Sequence, residues 1–190
     1  MTTIAIIESP FANSNATVRN ENLLYVNVVA RKVSLDSEGQ ISPLFFHSFY
    51  TQFLHDDIDE ERLLGLEMSF AHHNNGDIKL VTIDRGISKG MVEGVKAALK
   101  QGKDVKFFTL CSANSQIAQE VSEINSIESV EERWKKGFEA FSALEVINEL
   151  GDCTNFRTNS EALYSSVSEI INDFFSPLTE YTKRAYKTAA

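Results

Sequence analysis

Proline and cysteine are scarce in these 190 residues, at three and two, and glycine contributes only nine. So little proline and glycine excludes a collagen-like or low-complexity chain. The two cysteines, Cys111 and Cys153, form no CxxC pair and have no ligand cluster beside them. Neither a disulfide scaffold nor a structural zinc site is expected from that spacing, and a reducing, cytoplasmic setting is. Long apolar runs are missing too: no stretch approaches the roughly 18 residues of a membrane span, and no basic leader with an apolar stretch opens the sequence. Neither membrane association nor secretion is expected.

Positive charge is also in deficit, since 18 Lys and Arg face 27 Asp and Glu for a net charge of −9. Such a surface repels a phosphate backbone, which argues against nucleic acid as a partner but permits a small local anion site. What is present is ordinary globular material, 43% hydrophobic and 24% charged. The length suits one core of about 110 residues with an appended section.

Thr3 to Ile7 is a short apolar, β-branched run that ends in Glu8-Ser9-Pro10-Phe11, the pattern of a buried parallel strand and its loop. From about Thr17 to Val33 the residues Leu23, Val26, Ala30 and Val33 recur with helical spacing. Residues 44–54 are aromatic-rich and suggest a short second strand followed by an irregular loop. Asp57 and Glu60 have capping-box spacing before a helix to about His72. Ile78 to Ile83 reads as a strand, and Met91, Val95, Ala98 and Leu99 form the inner face of the next helix, with Gly102 beyond its end. Asp104 to Leu110 supplies another strand. Residues 1–110 therefore predict an α/β fold with a parallel sheet sandwiched by helices. Residues 111–190 predict an all-helical extension carrying a Trp134, Phe138, Phe141 stripe, with a lid, an oligomer interface and packing on the sheet as its alternative roles.

Ligands of parallel sheets bind outside the carboxyl ends of the strands, which directs attention to Glu8 to Asn13, His47 to Asp57 and Asp84 to Gly90. In Asp84-Arg85-Gly86-Ile87-Ser88-Lys89-Gly90-Met91 a strand passes into a helix through two glycines and a serine cap. That arrangement aims backbone N–H groups at an anion, or merely permits a tight turn and close packing. Glu8, Asp84 and Glu93 are carboxylates at or beyond strand ends, suited to acid, nucleophile or hydroxyl-acceptor roles, although a solvated helix face also explains Glu93. His47, His55, His72 and His73 lack metal-ligand spacing, so no metal is expected. Ser9 lacks a nucleophile elbow. Phe45, Phe46, Phe49, Tyr50 and Phe53 either stack on a base or fill the core.

Three groups of residues then combine: Ile6 to Phe11; Asp56-Asp57 with Glu60 to Glu67; and Asp84 to Met91 with Gly102-Lys103-Asp104-Val105. Together they resemble an uncharacterised bacterial and phage domain family in the nucleoside 2-deoxyribosyltransferase-like superfamily, over residues 4–108. The resemblance implies a flavodoxin- or Rossmann-like sandwich, no cofactor, a nucleotide- or nucleoside-type small molecule as partner, and a homo-oligomer. Superfamily members cut or exchange an N-glycosidic bond. In catalytic members an acidic residue leaves the strand, as Asp84 does here, and a glycine-methionine pair precedes a nucleophilic glutamate. Here Val92 follows Gly90-Met91, and Glu93 stands about 100° further round the helix. Either Glu93 or Glu67 serves as nucleophile beside Asp84, or the chemistry is lost and a pocket remains. The ligand-binding candidates are Glu8, Ser9, Pro10, Phe11, Tyr50, Asp57, Gly86, Ser88, Gly90 and Met91. Two functions follow as expectations: an N-glycosidase or transferase, and a non-catalytic binder that sequesters a nucleotide signal, as a phage would use against a host defence.

Overall fold

The computed structural model describes residues 2–13, 15–46, 54, 58–72, 75–111 and 113–142. In chain order the elements are β1 (Thr3–Glu8), α1 (Ala16–Asp36), β2 (Ile41–Leu44), α2 (Asp59–His72), β3 (Ile78–Thr82), α3 (Lys89–Lys100), β4 (Asp104–Phe108), α4 (Gln116–Asn125) and α5 (Val130–Phe141). The strands form one sheet in the order β2-β1-β3-β4, every pair parallel. This is the α/β architecture that alternating apolar runs and helical stripes predict, with a helical part after the last strand. The Asp57 cap, Phe49, Tyr50 and Phe53, and residues 143–190 of the expected helical extension lie outside the described residues.

Register decides which side chains meet which helices. Ile7 pairs with Leu80, while Ile6 pairs with Lys79 and Glu8 with Val81. Because side chains alternate across a strand, Ile7 and Leu80 share one face and Ile6, Glu8, Lys79 and Val81 the other. On the first face α1 packs Tyr25, Val26, Val29 and Val33 against Ile7 and Leu80. On the second, Met91 and Val95 of α3, Val121 and Ile124 of α4 and Phe141 of α5 pack with Val81, Val105 and Phe107. The expected inner face of α1 shifts, for Leu23 is only half-buried whereas Tyr25 and Val29 are in the core. The second strand also falls earlier than expected, at Ile41–Leu44 and through Pro43. Proline is tolerated there because β2 is an edge strand.

Both edges of the sheet are closed by side chains. In β4, alternate residues Val105 and Phe107 turn their backbone groups away from β3. Asn125 accepts from the Phe107 N–H and donates to its carbonyl, both at 2.8 Å. Arg133 Nη1 donates to the Val105 carbonyl at 2.8 Å, and the Val105 N–H reaches Asp104 Oδ1 at 2.9 Å. At the other edge the outward Ile41 N–H donates to Ser37 Oγ at 3.1 Å, and Pro43 has no N–H to offer. An edge whose donors are taken cannot recruit a further strand. Among the described residues the sheet holds four strands, and α4 and α5 pack beside its β4 edge.

Arg133 is nearly buried and is held by carbonyls rather than by one counterion. Its Nε and Nη2 donate to the Ile127 carbonyl at 2.9 and 2.6 Å, and its Nη1 also bonds Asp104. Above it Phe107 stacks on Trp134 at 5.8 Å between ring centres, and Trp134 meets Phe138 at 5.3 Å. The Phe107 ring lies so close to Gly137 that no side chain fits at that position. The aromatic stripe expected in the helical section thus packs, over α5, on the sheet.

Candidate functional site

From β1 the chain crosses to β2 at one edge and returns past β1 to β3, so the connections diverge from the carboxyl ends of β1 and β3. A crevice at such a divergence is where ligands of open parallel sheets bind. Ser9, Pro10 and Phe11 leave β1 there, and Asp84 to Ser88 leave β3 at the same edge, because the two strands are parallel neighbours. Ser9 is buried, whereas Pro10 and Phe11 are half-buried.

Asp84 is the centre of a hydrogen-bond cluster. Its Oδ2 accepts from Tyr25 Oη at 2.5 Å and from the Leu110 N–H at 3.0 Å, and its Oδ1 accepts from Thr109 Oγ1. These donors come from α1 and from the residues just after β4, so one carboxylate ties three parts of the chain. Burial pushes the Asp84 carboxyl above its usual range, opposed by the hydrogen bonds from Thr109, Tyr25 and Leu110. Burial, followed by the Asp84 charge, drives the Tyr25 phenol well above its usual pKa. Cys111, one residue further on, is disulfide-bonded, a linkage that the cysteine spacing does not announce.

Beside this cluster Arg85 ties the loop after β3 to α1. Its Nε donates to Asn22 Oδ1 at 2.7 Å and its Nη2 meets Glu21 Oε2 at 3.2 Å. Asn22, buried on α1, in turn donates from Nδ2 to the Phe11 carbonyl at 3.0 Å. The loops after β1 and β3 are joined through these two side chains.

The turn from β3 into α3 forms as its residues predict. Gly86 takes a φ of +77°, in the left-handed region, and its N–H bonds the Ile83 carbonyl at 2.9 Å. Ser88 is the N-cap of α3: its hydroxyl accepts from the Met91 N–H at 3.4 Å, and its own N–H donates to Met91 Sδ at 3.3 Å. The next N–H, that of Val92, already bonds the Ser88 carbonyl. Lys89 and Gly90 keep outward N–H groups, as the first residues of a helix do. Among the described residues a β-carbon added at Gly90 would meet only Ser88 Oγ, at 3.9 Å, so close packing among them does not explain this glycine.

Other candidates are placed elsewhere. Glu8 faces α3 rather than the loops, and its Oε1 bonds Lys79 Nζ at 2.7 Å in a buried ion pair. A β-carbon at Gly94 would lie 2.5 Å from that Glu8 oxygen, so this glycine is what lets α3 cover the pair. Burial raises the Glu8 pKa against the pull of Lys79 and lowers that of Lys79 against the pull of Glu8. Glu93 is exposed and paired with Lys96 at 2.7 Å, because the inner face of α3 is formed by Met91, Gly94, Val95 and Ala98. It is not brought to Asp84. Glu67 is exposed on α2. Tyr50 and Asp57 lie outside the described residues. His72 stacks on Phe46 at 4.8 Å. Among the described residues, no group of three or more His, Cys, Asp or Glu is placed to hold a metal ion.

Sequence reasoning misses Tyr25, Asn22, Arg85, Thr109 and Lys79. A signal existed for two of them: Lys79 interrupts an apolar strand, and Asn22 falls on an otherwise apolar helix face. Tyr25 reads as a core aromatic until its hydroxyl is placed.

A family model described as a domain of unknown function, DUF7768, matches residues 3–108. The chain belongs to this family. The DUF7768 match begins with β1 and ends at Phe108, the last residue of β4. It thus covers the sheet and α1 to α3 and stops short of α4 and α5, which close the β4 edge. None of the curated proteins compared with the chain matches it. Among the described residues no helix is long and apolar enough to cross a membrane.

Proposed function

We propose that this chain binds a nucleotide- or nucleoside-type small molecule between the loops that leave β1 and β3, and holds it without cutting its N-glycosidic bond. The observation that carries the reading is the Ser88-capped first turn of α3 at the strand divergence, where among the described residues no side chain packs against Gly90 more closely than Ser88 Oγ at 3.9 Å. Helix N–H groups in that position favour a negatively charged group. The motif resemblance to the nucleoside 2-deoxyribosyltransferase-like superfamily supplies the nucleotide character of the ligand.

The separation of the carboxylates favours binding over cleavage. Displacement at an anomeric carbon in two steps needs a pair of carboxyl groups about 5–5.5 Å apart. Asp84 already accepts three hydrogen bonds from its own chain, and Glu93 points to solvent beside Lys96. In this reading Asp84 organises the loops, and the protein acts as a homo-oligomer that sequesters its ligand.

The test is to incubate the full chain with a panel of nucleotides, cyclic dinucleotides and ADP-ribose-type compounds, then analyse bound and free fractions by chromatography after denaturation. A ligand recovered intact from the protein supports the proposal. A released free base, abolished by Asp84→Asn, would replace it with the glycosidase reading. Binding of none of the panel would reject both.

A further inference from the structure

Arg85 stands among the loops of the proposed site, and its guanidinium is only partly used. The side chain is 12% exposed and bonds Asn22 through Nε and Glu21 through Nη2. Among the described residues Nη1 has no acceptor. Guanidinium groups bind carboxylates and phosphates through two parallel N–H groups, and a half-occupied one has donors in the same plane ready for a second oxygen. Asn22 fixes the Nε side, and Asn22 is itself fixed to the Phe11 carbonyl. The guanidinium is therefore oriented by a buried amide, while its outer face is covered by a carboxylate that is 22% exposed.

The two contacts differ in kind. Asn22 is buried in the second turn of α1 and has no freedom to leave. Glu21, its neighbour, reaches Arg85 at 3.2 Å from a more exposed position and can swing into water. Glu21 is thus the more exposed partner of the pair, and an incoming anion can exchange with its carboxylate while Asn22 keeps hold of Nε.

We propose that Arg85 reads an anionic, phosphate-type group of the ligand, and that the Glu21 carboxylate holds the guanidinium in place until that group displaces it. The proposal rests on the nucleotide-type reading of the site and narrows it to phosphorylated ligands. Arg85 and the first turn of α3 follow β3 within one loop, so one ligand reaching both would present phosphate oxygens to each. Glu21 then acts as a built-in competitor that rejects neutral nucleosides, since these offer nothing to exchange for the lost ion pair.

The experiment titrates the full-length protein and its Arg85→Met, Arg85→Lys and Glu21→Gln variants with inorganic pyrophosphate, and with a nucleoside and its mono- and diphosphate, by calorimetry. Circular dichroism and thermal melting confirm that each variant folds. The expected pattern is tighter binding of the phosphorylated compounds than of the nucleoside. Arg85→Met should weaken phosphate-dependent binding by about tenfold or more, the scale of a charged hydrogen bond. Arg85→Lys should restore part of it. Glu21→Gln should strengthen binding by up to about fivefold, because it removes the competitor but spares the fork.

Nucleoside and nucleotide binding with equal affinity, indifferent to Arg85→Met, overturns this proposal and leaves the nucleotide-type reading standing. Weaker binding in Glu21→Gln also overturns it, since Glu21 would then help to hold the ligand. Should no compound bind the unmodified protein, that reading fails and this inference with it.

Discussion

The phenolic hydroxyl of Tyr25 donates to Asp84 Oδ2 at 2.5 Å, across 59 residues of sequence. The bond joins the inner face of α1 to the turn after β3, and both partners are largely withdrawn from water. Tyr25→Phe keeps the ring's packing and deletes only the donor. A buried carboxylate that loses one of its donors costs about 1–3 kcal/mol. Urea unfolding should show that loss as a lower midpoint at unchanged slope, and an unchanged midpoint would mean that the bond contributes nothing.

The same carboxylate predicts a pH dependence. Burial raises the Asp84 pKa above its reference of 3.8, so the native protein favours the protonated acid more than the unfolded chain does. Its contribution is full below the unfolded value and is lost as pH rises through the higher native pKa. The stability of the unmodified protein relative to Asp84→Asn should therefore fall as the pH rises above about 4, measured as the difference in urea midpoints. A difference that grew with pH would contradict the raised pKa.

Gly94 and Gly137 each mark a close approach of a helix to a side chain of the sheet. Gly94→Ala would drive a methyl group into the Glu8 carboxylate that Lys79 holds, and Gly137→Ala would drive one into the Phe107 ring. Overpacking of this kind costs about 1–3 kcal/mol. Both variants should melt below the unmodified protein, and a melting point unchanged in either would show that the neighbouring side chain gives way freely.

The β4 edge yields a prediction about the segment beyond the family match. A chain ending at residue 110 loses Asn125 and Arg133 and exposes the backbone groups of Val105 and Phe107, together with the core face that α4 and α5 cover. It should fail to unfold cooperatively and should aggregate, as size-exclusion chromatography and thermal circular dichroism will show. Within the full chain, Asn125→Ala should cost about 1–3 kcal/mol, because one amide satisfies both backbone groups of Phe107. A soluble, cooperatively folding 110-residue protein would sink the argument.

Local chemistry was legible without coordinates. The apolar runs that begin at Thr3 and Ile78 form strands because their side chains suit a sheet buried on both faces, and Ser88 caps α3 because an oxygen near the first turn meets an N–H within reach. Alternation of strand and helix sufficed for the parallel α/β class, since crossovers between parallel strands need a helix. The loop after β3 was legible as well, because Gly86 and Ser88 act within their own turn.

Only the tertiary structure decided what the polar residues do. Asp84 meets Thr109 across 25 residues, and Glu8 meets Lys79 across 71. Those meetings depend on the register that pairs Ile6 with Lys79 and on the closeness that Gly94 allows between α3 and the sheet. The outward turn of Glu93, the use of Arg85 and Asn22 to join the loops after β1 and β3, and the closing of the β4 edge by Asn125 arise the same way. Periodicity tells which face of an element is apolar, but a hydrogen bond needs two atoms within about 3 Å. Packing between distant segments sets that distance, and no local pattern encodes it.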